Sequence, residues 1–168
     1  MGRFVASASG DQIMGVLFDT NILIGIVRAG DQSGILKYLN PVNSKVYISI
    51  VSQGEIKSLA LQNKWGSNRI DALERLLSKV AVVDVTDAAL NTYTEIDSYS
   101  QLRNPRFGKY PFTTPRNMGK NDLWIASLAA LLGLELVTAD SDFDHLHDVF
   151  CDVKRIDQSE FLPFFVKN

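Results

Sequence analysis

The chain is poor in the residues that most often build small metal or redox centres. Its 168 residues include one cysteine, Cys151, and two histidines, His145 and His147. A single cysteine excludes an intrachain disulfide and any multi-cysteine zinc site. It suits a reducing compartment, and a cytoplasmic protein is expected. Long apolar runs are also missing. The longest, Trp124 to Leu134, is broken by Ser127 and Gly133 and is too short to cross a bilayer, so no membrane association is expected. Met1 to Gly15 is rich in Gly, Ser and Ala and lacks the apolar core of a signal peptide. An excess of positive charge is absent too: 17 Lys and Arg face 19 Asp and Glu, a formal net charge of −2. The chain is therefore no polycation that holds nucleic acid by charge alone. Any RNA contact needs local basic residues, or a metal to offset the acids.

What is present is ordinary globular material. Hydrophobic residues make up 46% of the chain, enough for one core without covalent staples. Residues 1–13 are expected to be either a flexible N-terminal extension or the stretch before an alternative start at Met14, and residues 14–168 a single domain. Strand-like and helix-like segments alternate. Val16–Phe18, Lys45–Ile50, Val80–Val85, Glu135–Thr138 and Asp148–Val153 are short, apolar or β-branched runs, predicted as strands. Asn21–Arg28, Ser33–Leu39, Val51–Asn63, Ser67–Lys79 and Asn121–Leu132 carry apolar residues at helical spacing. Thr86 is placed to cap a further helix reaching Leu102, Gly133 to stop the apolar helix, and a short helix is expected in Gln158–Phe165. Asn104–Lys120 holds three of the five prolines and is predicted as a long loop. The alternation implies a mostly parallel sheet covered on both faces, a three-layer α/β/α sandwich.

Four carboxylates occupy informative positions. Asp19 follows the first strand and Glu55 lies early in the helix after the second. Asp122 opens the apolar helix, and Asp140 follows the strand Glu135–Thr138. Each has a structural alternative. Asp19 suits an N-cap, Glu55 a capping box with Ser52, Asp122 a charge at a helix N-terminus, and Asp140 a turn. Together they point elsewhere. The carboxyl ends of parallel strands form the ligand edge of such a sheet, and acids converging there repel one another. A hard divalent cation relieves that repulsion, so Mg²⁺ or Mn²⁺ is the expected guest.

The segments Phe18-Asp19-Thr20-Asn21-Ile22-Leu23-Ile24, Ser52-Gln53-Gly54-Glu55-Ile56, Asn121-Asp122-Leu123-Trp124-Ile125-Ala126 and Leu136-Val137-Thr138-Ala139-Asp140-Ser141-Asp142-Phe143 resemble, in order and context, those of the PIN-domain family. They are most similar to VapC-type toxins. The likeness runs from about Met14 to Val153. It implies a metal-dependent endoribonuclease with Asp19, Glu55, Asp122 and Asp140 as its acidic quartet. Asp142 is the alternative to Asp140. Thr20 and Asn21 would orient Asp19, and Thr138 would line the pocket. The resemblance also implies a homodimer and an antitoxin protein that blocks the site.

The loop carries Arg103, Arg106, Lys109, Arg116 and Lys120 interleaved with Phe107, Tyr110 and Phe112. This mixture suits a single-stranded RNA backbone with stacked bases. The alternative is a solvated loop whose aromatics tuck onto the core. His145 and His147 are expected in surface or packing roles, and Trp65 and Trp124 in the core or an interface. Two rival functions stand beside the nuclease. A phosphatase of the haloacid dehalogenase type also begins with a strand-end Asp, but needs a second acid where Asn21 stands. A non-catalytic interaction module has little need for clustered acids.

Overall fold

The computed structural model describes residues 15–165, so the expected extension over 1–13 lies outside the described residues. The innermost element is β1 (Gly15–Phe18), buried along its whole length. Alternation of side chains sends Val16 and Phe18 to one face of the sheet and Leu17 to the other, and both faces are covered. The helices α1 (Thr20–Arg28) and α2 (Gln32–Leu39) lead to β2 (Lys45–Ser49). Then come α3 (Ile50–Gln62), α4 (Ser67–Leu77) and β3 (Ala81–Val83). A 3₁₀ turn over Asp87–Ala89 precedes α5 (Leu90–Ser100), and α6 (Lys120–Leu132) follows the long loop. The chain continues with β4 (Glu135–Thr138), a 3₁₀ segment Ser141–Leu146, β5 (Val153–Arg155) and a final 3₁₀ segment Gln158–Phe164.

The five strands are all parallel, in the order β3-β2-β1-β4-β5. Helices α1 to α4 bury Ile22, Leu23, Ile26, Ile56, Leu73 and Leu76 against the Val16 face. Helices α5 and α6 bury Ile96, Tyr99, Leu123, Ile125 and Ala129 against the Leu17 face. This is the α/β/α sandwich expected from the alternation. The chain runs outward from β1 to β2 and β3, then returns to place β4 on the other side of β1. The order therefore reverses between β1 and β4, and ligands of open parallel sheets bind outside the carboxyl ends at such a point.

Two strands differ from expectation. Val80–Val85 was expected as a buried strand, but β3 is an exposed edge of three residues, with Val82 38% exposed. The last strand lies not at Asp148–Val153 but at Val153–Arg155. Asp148 takes a left-handed conformation (φ 60°), and the Phe150 N–H turns back to the Leu146 carbonyl at 3.0 Å. That turn uses the backbone groups a strand would have needed. Thr86 stands at the predicted cap position but makes no capping hydrogen bond, and its helix starts with a 3₁₀ turn. Gly133 (φ 64°) ends α6 in the left-handed region that a side chain rarely adopts.

The loop over residues 101–119 is held by aromatic packing rather than left in solvent. Tyr99, 1% exposed, has the rings of Phe107, Tyr110, Phe112 and Phe150 within 4.5–5.4 Å of its centroid. Buried Asn104 donates to the Glu95 carbonyl (3.1 Å) and side chain (2.8 Å) and accepts from the Arg106 N–H (3.0 Å). Its own backbone exchanges two hydrogen bonds with the Tyr110 hydroxyl. Asn104→Ala is expected to cost about 1–3 kcal/mol, read by urea unfolding. Hydrogen exchange should show lost protection over residues 104–119 while β1 and β4 stay protected; an unchanged loop would contradict this anchoring role.

Candidate functional site

The site begins where β1 ends. The Asp19 N–H still donates to the Val137 carbonyl (3.2 Å), so the sheet ladder fixes its backbone. Its side chain then caps α1: Oδ1 accepts from the Ile22 N–H at 3.0 Å. Oδ2 accepts from the Thr138 hydroxyl at the end of the neighbouring strand β4. The Thr138 hydroxyl in turn accepts from the Asp140 N–H (3.0 Å), and Asp140 Oδ1 accepts from the Asp142 N–H (2.9 Å). One chain of hydrogen bonds thus ties the ends of β1 and β4 together at the point where strand order reverses. Asp19 is 3% exposed and Thr138 fully buried.

Glu55 approaches from α3. Its Oε2 accepts from the Thr20 hydroxyl and its Oε1 from Asn121 Nδ2 at 2.7 Å. The capping box that was the structural alternative for Ser52 and Glu55 does not form. Helix α3 starts earlier, with Ser49 as its cap accepting from the Val51 N–H at 3.1 Å. Ser52 is buried, and its hydroxyl has no partner. Thr20, expected to orient Asp19, serves Glu55 instead, because Thr138 already holds the free Asp19 oxygen. Asn21 is exposed and lines the groove in front of the acids. Asn121 is a partner the sequence reading passed over. Its only signal was its place directly before Asp122.

Asp122 sits in the first turn of α6 and accepts a hydrogen bond from the backbone of its N-cap residue, Gly119. Burial pushes its carboxyl up to about 6, helped by the charges of Asp140, Glu55 and Asp142. Burial also pushes Asp19 up to about 6; the bonds from Thr138 and Ile22 oppose the rise, while Asp122 and Asp140 add to it. Asp122 thus feels the charges of three other acids, Asp140, Glu55 and Asp142. Asp19, Glu55 and Asp122 line one groove of about 630 Å³, with Asn21, Asn121 and the apolar Ile24, Ile50 and Leu59. Asp140 acts on both Asp19 and Asp122, whereas Asp142 acts on Asp122 alone and faces a separate cavity.

A tighter trio of metal-type ligands lies elsewhere. His147, Asp148 and Asp152 bring one ligand atom each within 4.8 Å of the others. It suits a cation poorly. His147 Nδ1 accepts from the Val153 N–H (2.9 Å), so in the neutral ring Nε2 carries the proton and has no lone pair to give.

The basic residues of the loop divide. Arg103, Lys109, Arg116 and Lys120 are exposed, while Arg106 pairs with Glu95 at 3.1 Å. The aromatics tuck inward around Tyr99, with Phe112 only 9% exposed, so they are not a stacking platform for bases. His145 also packs as expected: it stacks on Tyr99, and Nε2 meets the Ser100 hydroxyl at 2.7 Å. Burial, then the nearby Arg116, lowers its pKa to about 4. Trp65 packs partly buried against one core and Trp124 against Tyr93 at 4.3 Å.

The raised carboxyls give a pH signature. With metal removed, the folded protein keeps protons on Asp19 and Asp122 that the unfolded chain releases near pH 4. Their contribution to stability is present below about pH 4 and lost as pH rises through about 6. In EDTA, Asp19→Asn is expected to melt higher than the parent at pH 7, with the gap closing toward pH 4. Equal melting at pH 7 would contradict the assignment.

Comparison with known proteins agrees with this geometry. Residues 16–149 match the family model for the PIN domain, most of the chain. No curated protein matches the sequence. Among solved structures, VapBC2 from Rickettsia felis, bound to a DNA fragment from its promoter, is similar over 83% of this chain and 98% of its own, at 20% identity and a TM-score of 0.65. VapBC-1 from nontypeable Haemophilus influenzae covers 84% of this chain and 98% of its own, at 22% identity and 0.60. VapBC-5 from Mycobacterium tuberculosis, of the VapBC family of toxin–antitoxin systems, covers 85% and 99%, at 21% and 0.55. At these identities the structures speak for the fold, and the family model leaves the haloacid dehalogenase alternative without support. Sequence motif, sheet order and family model converge: the chain belongs to the PIN-domain family.

Proposed function

We propose that this protein is a divalent-metal-dependent endoribonuclease that hydrolyses RNA phosphodiester bonds, as the toxin of a toxin–antitoxin pair. The observation that carries the proposal is the convergence of Asp19, Glu55, Asp122 and Asp140, from four separate chain segments, beside the reversal of strand order. The donor set fits a hard cation. Its donors are oxygens, and two of its acids are held above their ordinary range partly by mutual repulsion. We assign Asp19, Asp122 and Asp140 to hold Mg²⁺ or Mn²⁺, with Glu55 as a further ligand or the acceptor of a proton from water. A bound divalent cation supplies positive charge against the phosphate and acidifies water.

The protein's own part is orientation. Each Asp19 oxygen accepts one protein hydrogen bond, which leaves lone pairs on both for a cation. Thr20 and Asn121 fix Glu55 in the same way, so the acids are positioned before substrate arrives. Exposed Arg103, Lys109, Arg116 and Lys120 provide the local positive charge that a net charge of −2 otherwise withholds. Residues 14–168 act as one nuclease domain. No helix among the described residues is long and apolar enough to cross a membrane, and we place the activity in the cytoplasm. Similarity in fold to toxin–antitoxin complexes supports an antitoxin partner. We place that partner over the apolar rim of the groove, at Ile24, Ile50 and Leu59, and include a homodimer in the same proposal.

Cleavage of a mixed panel of single-stranded and structured RNAs is expected with Mg²⁺ or Mn²⁺ and not in EDTA. Asp19→Asn and Asp122→Asn should each lower the rate at least about 100-fold, the scale of a lost several-kcal/mol contribution to the transition state. Undiminished cleavage by either variant would sink the assignment. Thr138→Val removes only the hydroxyl that holds Asp19. It is expected to weaken Mn²⁺ affinity by about 10–100-fold in calorimetry, the usual cost of losing a group that orients a ligand.

A further inference from the structure

Beside the acidic groove lies a second cavity of about 370 Å³, lined by Pro111, Phe112, Arg116, Ser141, Asp142 and His145 among others. It adjoins the first. Asp142 lines it and its charge acts on Asp122, and the Asp142 N–H donates to Asp140 at 2.9 Å. Its walls are fixed from both sides. Ser100 holds His145, and the Ser100 carbonyl accepts from the Arg116 N–H at 2.8 Å. The Arg116 guanidinium lies 5.8 Å from the Phe112 ring centre. Asp144, also at the rim, is taken up by Arg155 at 3.4 Å. Asp142 and Arg116 are left as the two charged groups without an ion-pair partner among the described residues.

We propose that this cavity is a guanine-binding subsite for a nucleotide flanking the cleaved bond. A volume of this order takes a small ligand between an apolar wall and a few polar groups. A carboxylate accepts only, so Asp142 asks for adjacent donors, and an arginine asks for adjacent acceptors. Guanine alone among the four bases has two neighbouring donors, N1–H and the 2-amino group, with O6 and N7 as acceptors on the other edge. Uracil turns carbonyls toward a carboxylate. Adenine and cytosine set a bare ring nitrogen beside their amino group. The subsite rests on the nuclease proposal only for the nature of the polymer.

The test uses the full chain carrying Asp19→Asn, so that RNA is bound and not cut. Labelled hexanucleotides that differ in one central base are titrated by fluorescence anisotropy. The guanine oligomer should bind about tenfold tighter than its adenine, cytosine and uracil counterparts, the scale of one bidentate base contact. That ratio should fall toward one on adding Asp142→Asn, and separately Arg116→Gln. No guanine preference in the parent, or a preference that survives Asp142→Asn, would overturn the proposal. Guanosine monophosphate alone separates it from the nuclease reading. Chemical-shift changes at Phe112, Arg116 and Asp142, absent with cytidine monophosphate, would uphold the subsite even if no RNA is cut; their absence would overturn it even if RNA is cut.

Discussion

The site depends on one buried carboxylate. Asp19 is the residue after the central strand, and three independent constraints converge on it: the ladder bond to Val137, the helix-cap bond from Ile22, and the hydroxyl of Thr138. Burying a carboxylate is costly unless its oxygens are met by donors. Here they are met, but not enough to return the group to its ordinary range, because burial outweighs them and the charges of Asp122 and Asp140 add to the rise. The remaining cost is carried by the fold. A sheet with β1 buried on both faces, covered by two apolar layers, can carry it.

Capping and clustering turn out to be one arrangement. Asp19 caps α1, Asp140 caps the segment Ser141–Leu146, and Asp122 answers the cap residue of α6. A helix N-terminus offers free N–H groups and a partial positive charge, which steady a negative side chain. Where several such N-termini open on the same sheet edge, their acids must meet. The structural readings of these residues were therefore not rivals of the functional one. Glu55 is the exception. It lies beyond the first turn of α3 and takes its support from side chains, Thr20 and Asn121.

The long loop belongs to the same construction. Tyr99 gathers the aromatics of the loop and also stacks with His145. His145 is in the segment that Asp140 caps. The neutral ring is bound to Ser100 and to the Asp142 backbone, so it joins α5 to the turn that carries two acids without adding charge to them. The basic groups of the loop stay at the surface, around a site that its aromatics help to hold rather than touch.

Much of this was legible in the sequence. Alternating strand and helix patterns fixed the fold class, because a period of two against 3.6 is a local property of the chain. The four acids stood out because Asp19 and Asp140 follow strands, Asp122 opens a helix and Glu55 lies early in the helix after a strand, and local context says where in an element a residue falls. Strand limits at β3 and β5 were not legible, since apolar runs there serve turns and packing as well as pairing. Nor were the partners: that Thr20 serves Glu55 while Thr138 serves Asp19, that Asn121 reaches Glu55, and that Phe112 faces inward. Those pairings join residues 35 to 119 positions apart. Sequence spacing determined which residues lie at the carboxyl edge; only the packing of strands and helices decided which of them touch, because contact across the sheet depends on strand order and not on distance along the chain.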